Sequence, residues 1–280
     1  MKKFLAIPAA LALFTACEKE IEMSYIPVEK LYVVEGYVSD EGIEVAVSTT
    51  RNMEDGNRKT GISGAVVEIS GTDGYREMLR HEGDGHYRSP FAADGSPGTV
   101  YTMKVTAGGR EFVSTSEMTA PGEISAVRFS YEPAITGRYM FCSVNIADPP
   151  GTENRYCLRI FKNGEVYSRT LITDKGHDGG VIPNTLLIRF SWNEEPTPEE
   201  IANGNADKMF RKGDRLDMRL ETVDRPVYDY LYSLGLSSGS LSNPLTNIEG
   251  GCLGYFRAYS SHTYETVFDP EEIAPKPEQP

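Results

Sequence analysis

The sequence predicts a mainly β protein: two consecutive β-rich domains with one or two short helices. Three observations carry that prediction. Short apolar or alternating runs recur from residue 31 to residue 260, each bounded by turn-forming residues. Glycine and proline are abundant, at 27 and 17 of 280 residues, and the 16 tyrosines suit strands more than helices. Helical spacing is confined to two short stretches, near residues 198 and 228.

Before the first strand comes an address. Two lysines precede an apolar run over 4–14, which is too short to span a bilayer, and small residues follow. Phe14-Thr15-Ala16-Cys17 resembles the lipobox of bacterial lipoproteins, with Phe14 where that motif usually has leucine. The resemblance implies a signal peptide over 1–16, cleavage before Cys17, and acylation of Cys17, with 17–30 as anchor and tether. An ordinary cleaved signal followed by a coincidental cysteine is the alternative. Glu18-Lys19-Glu20-Ile21-Glu22 either resembles the acidic export signal of Bacteroidota surface lipoproteins or is a solvated spacer.

The first domain is expected over 31–119, with strands at 31–38, 43–49, 65–70, 99–106 and 110–116. Gly108-Gly109 fits a two-residue hairpin turn, and Tyr101, Met103 and Val105 then share one buried face. Ala120-Pro121-Gly122 marks the expected hinge. The second domain, 123–268, opens with strands at 124–131, 139–147, 155–162 and 165–172. Asn163-Gly164 predicts a type I′ turn that sets Lys162 opposite Glu165 and Ile160 opposite Tyr167. Further strands are expected at 186–191, 215–223 and 252–260. Thr197-Pro198-Glu199-Glu200 carries a capped helix start, and Tyr228, Leu231, Tyr232 and Gly235 suggest a packed helix over 227–234. The Pro-rich acidic tail, 269–280, is expected to be disordered.

Composition excludes some functions. The 41 acidic residues outnumber 28 Lys and Arg, a net charge of −13, so no nucleic-acid partner is expected. No nucleophile elbow, P-loop or zinc-protease motif is present, so no enzyme and no cofactor are predicted. His81 and His86 flank Gly83-Asp84-Gly85, which reads as a turn between strands. In the Gly-rich loop 174–180, Asp174 and Asp178 are candidate calcium ligands, although Asp and Gly also dominate ordinary long turns. With Cys17 acylated, Cys142, Cys157 and Cys252 remain. If 139–147 and 155–162 form a symmetric hairpin, Cys142 and Cys157 point to opposite faces, so buried thiols are expected.

Asn243-Pro244, then Asn247-Ile248-Glu249-Gly250-Gly251 and Gly254-Tyr255-Phe256, resemble the C-terminal signature of a Bacteroidota lipoprotein family that carries a domain-of-unknown-function label. Val33-Val34-Glu35-Gly36-Tyr37-Val38 and the stretch 228–234 are similar to it as well. The resemblance implies an outer-membrane lipoprotein encoded beside TonB-dependent receptors, and hence such a receptor as partner. In the first half, Ser63-Gly64-Ala65-Val66-Val67, Gly85-His86-Tyr87 and Gly98-Thr99-Val100-Tyr101 resemble the transthyretin-like or carboxypeptidase-regulatory type of Ig-like sandwich. Asn247, Glu249, Gly250 and Gly251 form a candidate partner loop, or else a structural turn feeding the last strand. The expected function is a non-catalytic binding lipoprotein of the outer membrane, on the cell surface or the periplasmic face, whose small-molecule or glycan ligand is unspecified. The alternatives are a structural or adhesive surface protein and a glycan or peptide hydrolase.

Overall fold

The computed structural model describes residues 29–52, 60–89, 96–134, 137–237 and 242–273. Their strands are β1 (Tyr32–Ser39), β2 (Gly42–Thr49), β3 (Val66–Gly71), β4 (Arg76–Met78), β5 (Arg80–Gly83), β6 (His86–Arg88), β7 (Val100–Ala107), β8 (Arg110–Glu117), β9 (Glu123–Ala134), β10 (Gly137–Ala147), β11 (Arg155–Lys162), β12 (Glu165–Thr173), β13 (Val181–Ile188), β14 (Arg215–Thr222) and β15 (Leu253–Val267). Helix α1 covers Pro198–Ala202 and α2 covers Arg225–Ser237. The chain is mainly β, as predicted.

An eight-stranded sheet runs in the order β12-β11-β14-β15-β1-β2-β6-β5, and two smaller sheets have the orders β4-β3-β7-β8 and β13-β10-β9. The 15-residue β15 joins the halves: 253–259 run parallel to 33–39 of β1, and 260–267 run antiparallel to β14. Alternation along β15 keeps one of its faces inward throughout. Phe256 and Ala258 enter a first core with Val34, Val45, Met103 and Phe112, and Tyr264 packs on a second with Val144, Leu158, Met218 and Phe268. The molecule is therefore two β-sandwiches that share one sheet. Helix α2 covers the other face of that sheet, where Val227, Tyr230 and Leu231 pack on Cys157 and Tyr259.

This sharing revises the expected division into 31–119 and 123–268. The first core also takes Ile248, Cys252, Phe256 and Ala258 from the end of the chain. Nor is 120–122 a free hinge. The Gly122 N–H donates to Thr222 Oγ1 at 2.8 Å, and Ser260 Oγ donates to the Thr119 carbonyl at 2.7 Å. Both bonds tie the connection to the shared sheet.

Local turn chemistry matches the expectations closely. Gly108 and Gly109 take φ of 54° and 76° between β7 and β8, and Tyr101, Met103 and Val105 are buried. Asn163 and Gly164 take φ of 53° and 90°, and Lys162 sits opposite Glu165. Beyond that pair the register departs. Phe161 faces Val166 and Ile160 faces Ser168, so Tyr167 is the extra residue of a bulge, and its ring packs on Phe210 with centroids 4.7 Å apart. Strand β10 pairs with β9 and β13, and β11 with β12 and β14, so the supposed hairpin of 139–147 with 155–162 does not form. Cys142 lies in the second core and Cys157 under α2, with a sheet between them.

Helix α1 begins with the predicted capping box of Thr197 and Glu200. Helix α2 is longer than expected and rotated: Val227, Tyr230 and Leu231 are buried, while Tyr232 is 56% exposed and stacks on Tyr228. The tail also needs correction at its start. Asp269 caps a 3-10 turn over Pro270–Glu272, Pro270 is buried, Ile273 packs on the second core, and Lys212 pairs with Glu271 at 2.8 Å.

Asp224 links α2 to the first sandwich. Its Oδ1 accepts from the Val227 N–H at 3.0 Å, and its Oδ2 accepts from Ser116 Oγ at 2.7 Å and the Glu117 N–H at 3.1 Å. Asp224→Ala removes a cap worth about 1 kcal/mol and strands two donors at about 1 kcal/mol each, so urea unfolding is expected to show a loss of about 2–3 kcal/mol. An unshifted midpoint would exclude this role. Burial raises the Asp224 pKa even against its hydrogen bonds. A carboxyl raised on folding contributes stability below its unfolded value and loses it as pH rises through the folded one. Asp224→Asn keeps an acceptor without the buried charge and is expected to retain most of the stability at neutral pH.

Candidate functional site

The residues singled out by sequence lie in three places. Cys17 falls outside the described residues. Asp174 is buried, and its Oδ2 accepts from the Asn154 N–H at 2.6 Å; Asp178 Oδ1 accepts from the Gly151 N–H at 2.7 Å. Both carboxylates thus hold one loop against another, as acidic residues in long turns often do. Among the described residues no group of three His, Cys, Asp or Glu side chains is placed to hold a metal ion. His86 instead pairs with Glu44, Nδ1 to Oε1 at 2.6 Å.

The loop 247–251 is built into the first sandwich. Asn247 brackets Phe256: Nδ2 donates to its carbonyl at 2.7 Å, and Oδ1 accepts from its N–H at 3.0 Å. Glu249 forms a reciprocal backbone bridge with Val113 of β8, at 2.8 and 3.2 Å. Gly250 has φ 103°, and a Cβ there would overlap the Glu111 carbonyl, so only glycine fits. Arg110 donates to the Gly250 and Gly251 carbonyls at 3.0 and 3.2 Å. Ile248 enters the core, while the Glu249 side chain remains exposed.

Cys142, Cys157 and Cys252 are buried and free. Burial pushes the Cys142 thiol up to about 12 and that of Cys252 up to about 11. At neutral pH both are protonated and poor nucleophiles.

The densest charged cluster lies on the outer face of the shared sheet, beside α2. Glu221 of β14 is fully buried and accepts from two guanidinium groups, Arg159 of β11 and Arg257 of β15, the latter at 2.5 Å. One carboxylate faces two cations. Burial, then the neighbouring Arg257, lowers the Arg159 pKa, which records the cost of holding that charge there. The Nε atoms of Arg159 and Arg257 are buried without hydrogen-bond partners. Aromatic rings supply part of the compensation: Arg257 lies 4.4 Å from the Tyr259 centroid and 5.8 Å from that of Tyr255, and Arg159 lies 5.5 Å from Phe161.

A family model described as a domain of unknown function (DUF4249) matches residues 18–265. The chain belongs to the DUF4249 family. No curated protein matches it. Among solved structures, a two fibronectin type-III domain segment from chicken tenascin is similar at 9% identity, covering 86% of this chain and 99% of that one. Its TM-score of 0.22 is too low to bear on how the strands are arranged.

The expected signature of this DUF4249 chain, 243–256, is thus chiefly the segment that closes the first sandwich and starts β15. Sequence reasoning missed Arg159, Glu221 and Arg257. A signal was present in β14, where Arg215, Asp217, Arg219 and Glu221 alternate with apolar residues. That pattern reads as a solvated strand face, and only the position of α2 shows that its end is buried.

Proposed function

We propose that this DUF4249 chain is a lipid-anchored protein of the outer membrane, a non-catalytic binding or accessory lipoprotein for a TonB-dependent receptor, exposed at the cell surface. The observation that carries the binding part is the Glu221 face, where buried cations exceed their carboxylate and stand among aromatic rings. Such a face costs folding energy, and recognition of an anionic group would offset that cost. Anchoring is supported by Thr15-Ala16-Cys17. Each acyl CH₂ contributes about 0.8 kcal/mol, so two or three chains hold a domain firmly. Fourteen residues separate Cys17 from Tyr32, a reach of at most about 50 Å at about 3.5 Å per residue. The exposed Glu249 beside Gly250-Gly251 is the proposed receptor contact.

Cys17→Ala is expected to reduce incorporation of a fatty-acid probe to background and to release the protein from membranes. Retained labelling would overturn the anchor. In-cell cross-linking followed by purification is expected to recover a receptor, and a recovery no richer than from an unrelated lipoprotein would overturn the partnership. Protease treatment of intact cells is expected to digest the chain; full protection would place it on the periplasmic face.

A further inference from the structure

Strand pairing aligns three arginines across the outer face of the shared sheet. Arg159 of β11 is directly opposite Arg169 of β12 on one side and Arg219 of β14 on the other. Residues directly opposite share a face, and strands lie about 4.8 Å apart, so the row is about 10 Å long. Like charges in this relation repel and destabilise a sheet. In a chain with net charge −13, composition gives no reason for such a row.

The two ends of the row differ. Arg219 is neutralised by Asp217 at 3.1 Å and by Glu41 at 3.2 Å. Arg159 shares Glu221 with Arg257. Arg169 is exposed and has no ion pair among the described residues. Its charge nevertheless reaches inward, opposing the burial-driven rise in pKa of Cys157 and Tyr230. On β11 and β12 the rows flanking Arg159 and Arg169 are apolar: Cys157 with Leu171 beside α2, and Phe161 with Val166 on the open side. Val166 is 62% exposed.

We infer that the Arg159–Arg169 pair, with Phe161 and Val166, is a binding site for a small ligand that presents an oxyanion beside an apolar group. This rests on the proposal above that the outer face is the binding face. A carboxylate or phosphoryl group accepts from the open Arg169 fork in a bidentate manner, and its charge balances a cation that has no ion pair of its own among the described residues. The ligand's apolar part covers Val166 and the Phe161 ring. No bond is made or broken.

The test uses the purified full chain, titrated with phthalate, with phenyl phosphate and with neutral benzamide at constant ionic strength and followed by NMR or calorimetry. At least one of the two anions is expected to saturate the site while benzamide does not. Phthalate alone would identify a carboxylate ligand and phenyl phosphate alone a phosphoryl one. Arg169→Gln, at an exposed position, is expected to leave the fold intact by circular dichroism and to weaken the anion at least tenfold; Arg169→Lys, which keeps the charge without the fork, falls between. Anions that bind no better than benzamide, or an affinity unchanged in Arg169→Gln, would overturn the site. Since the titration needs neither lipid nor receptor, its failure leaves the Cys17 and cross-linking results standing, and theirs leaves the titration standing.

Discussion

Glu221→Gln is expected to lower the unfolding free energy by about 3–5 kcal/mol, because it leaves two guanidinium groups facing each other without the carboxylate that holds them. The carboxylate is fully buried and both partners are mostly so, with side-chain exposures of 25% for Arg159 and 10% for Arg257. That loss is a large part of a typical stability of about 5–15 kcal/mol. The same principle predicts its rescue. Removing one cation as well, in Glu221→Gln with Arg257→Met, is expected to recover part of the loss, since Arg159, packed on Phe161, is then freed from the nearest cation that opposes its charge. Urea unfolding monitored by tyrosine fluorescence checks both variants. A midpoint unchanged by Glu221→Gln would show that the carboxylate does not offset the arginines.

Gly254→Ala is expected to cost more than about 3 kcal/mol and to affect both sandwiches together. Gly254 sits at φ 104°, a conformation costing a residue with a side chain about 1–3 kcal/mol. Its Cβ would also land on the backbone of Val34, overlapping the carbonyl oxygen, where no flexible side chain can yield. Relief requires β15 to move away from β1. Because 260–267 of the same strand complete the second sandwich, that movement loosens both cores. One cooperative transition at lower urea is the expected result. Gly64→Ala, where a Cβ meets open space and φ is not positive, serves as control and is expected to shift stability by less than about 0.5 kcal/mol. Equal shifts in the two variants would remove the steric argument.

Local features of this fold were legible because a few neighbouring residues set them. The Gly108-Gly109 and Asn163-Gly164 turns need positive φ and have the residues that adopt it. The Thr197 capping box closes within four residues. Strand faces follow from period-2 alternation, which is why Tyr101, Met103 and Val105 were assignable to a core. Legibility ended where local spacing met a tertiary demand. Register from the Asn163-Gly164 turn held for Lys162 and Glu165, then shifted when burial of Tyr167 on Phe210 favoured a bulge. In α2, helical spacing identified the helix, but its buried face was set by Cys157 and Tyr259 on strands distant in sequence.

The candidate site was less legible than the fold. Residues that stood out in the sequence, such as Asp174, Asp178, Gly250 and Gly251, serve turns and loop closure. Arg159 and Arg169 look like ordinary solvated positions in two alternating strands. The Asn163-Gly164 turn pairs their strands, but its unshifted register sets Arg159 opposite Ser168; the bulge at Tyr167 brings it opposite Arg169.

The sequence by itself determined the class of fold, its turns, its helix starts and the residues of each strand that face inward. These depend on backbone preference and on the burial of apolar side chains along one segment. Tertiary structure alone decided that β15 serves both sandwiches, that Glu221 is buried between two arginines, and that three arginines line up across the sheet. The physical reason is range. Pairing of β1 with β15 joins residues more than two hundred positions apart, and every inward-facing strand offers the same alternating face to many partners. Which partner it takes depends on the summed packing of the whole core, which no local window contains.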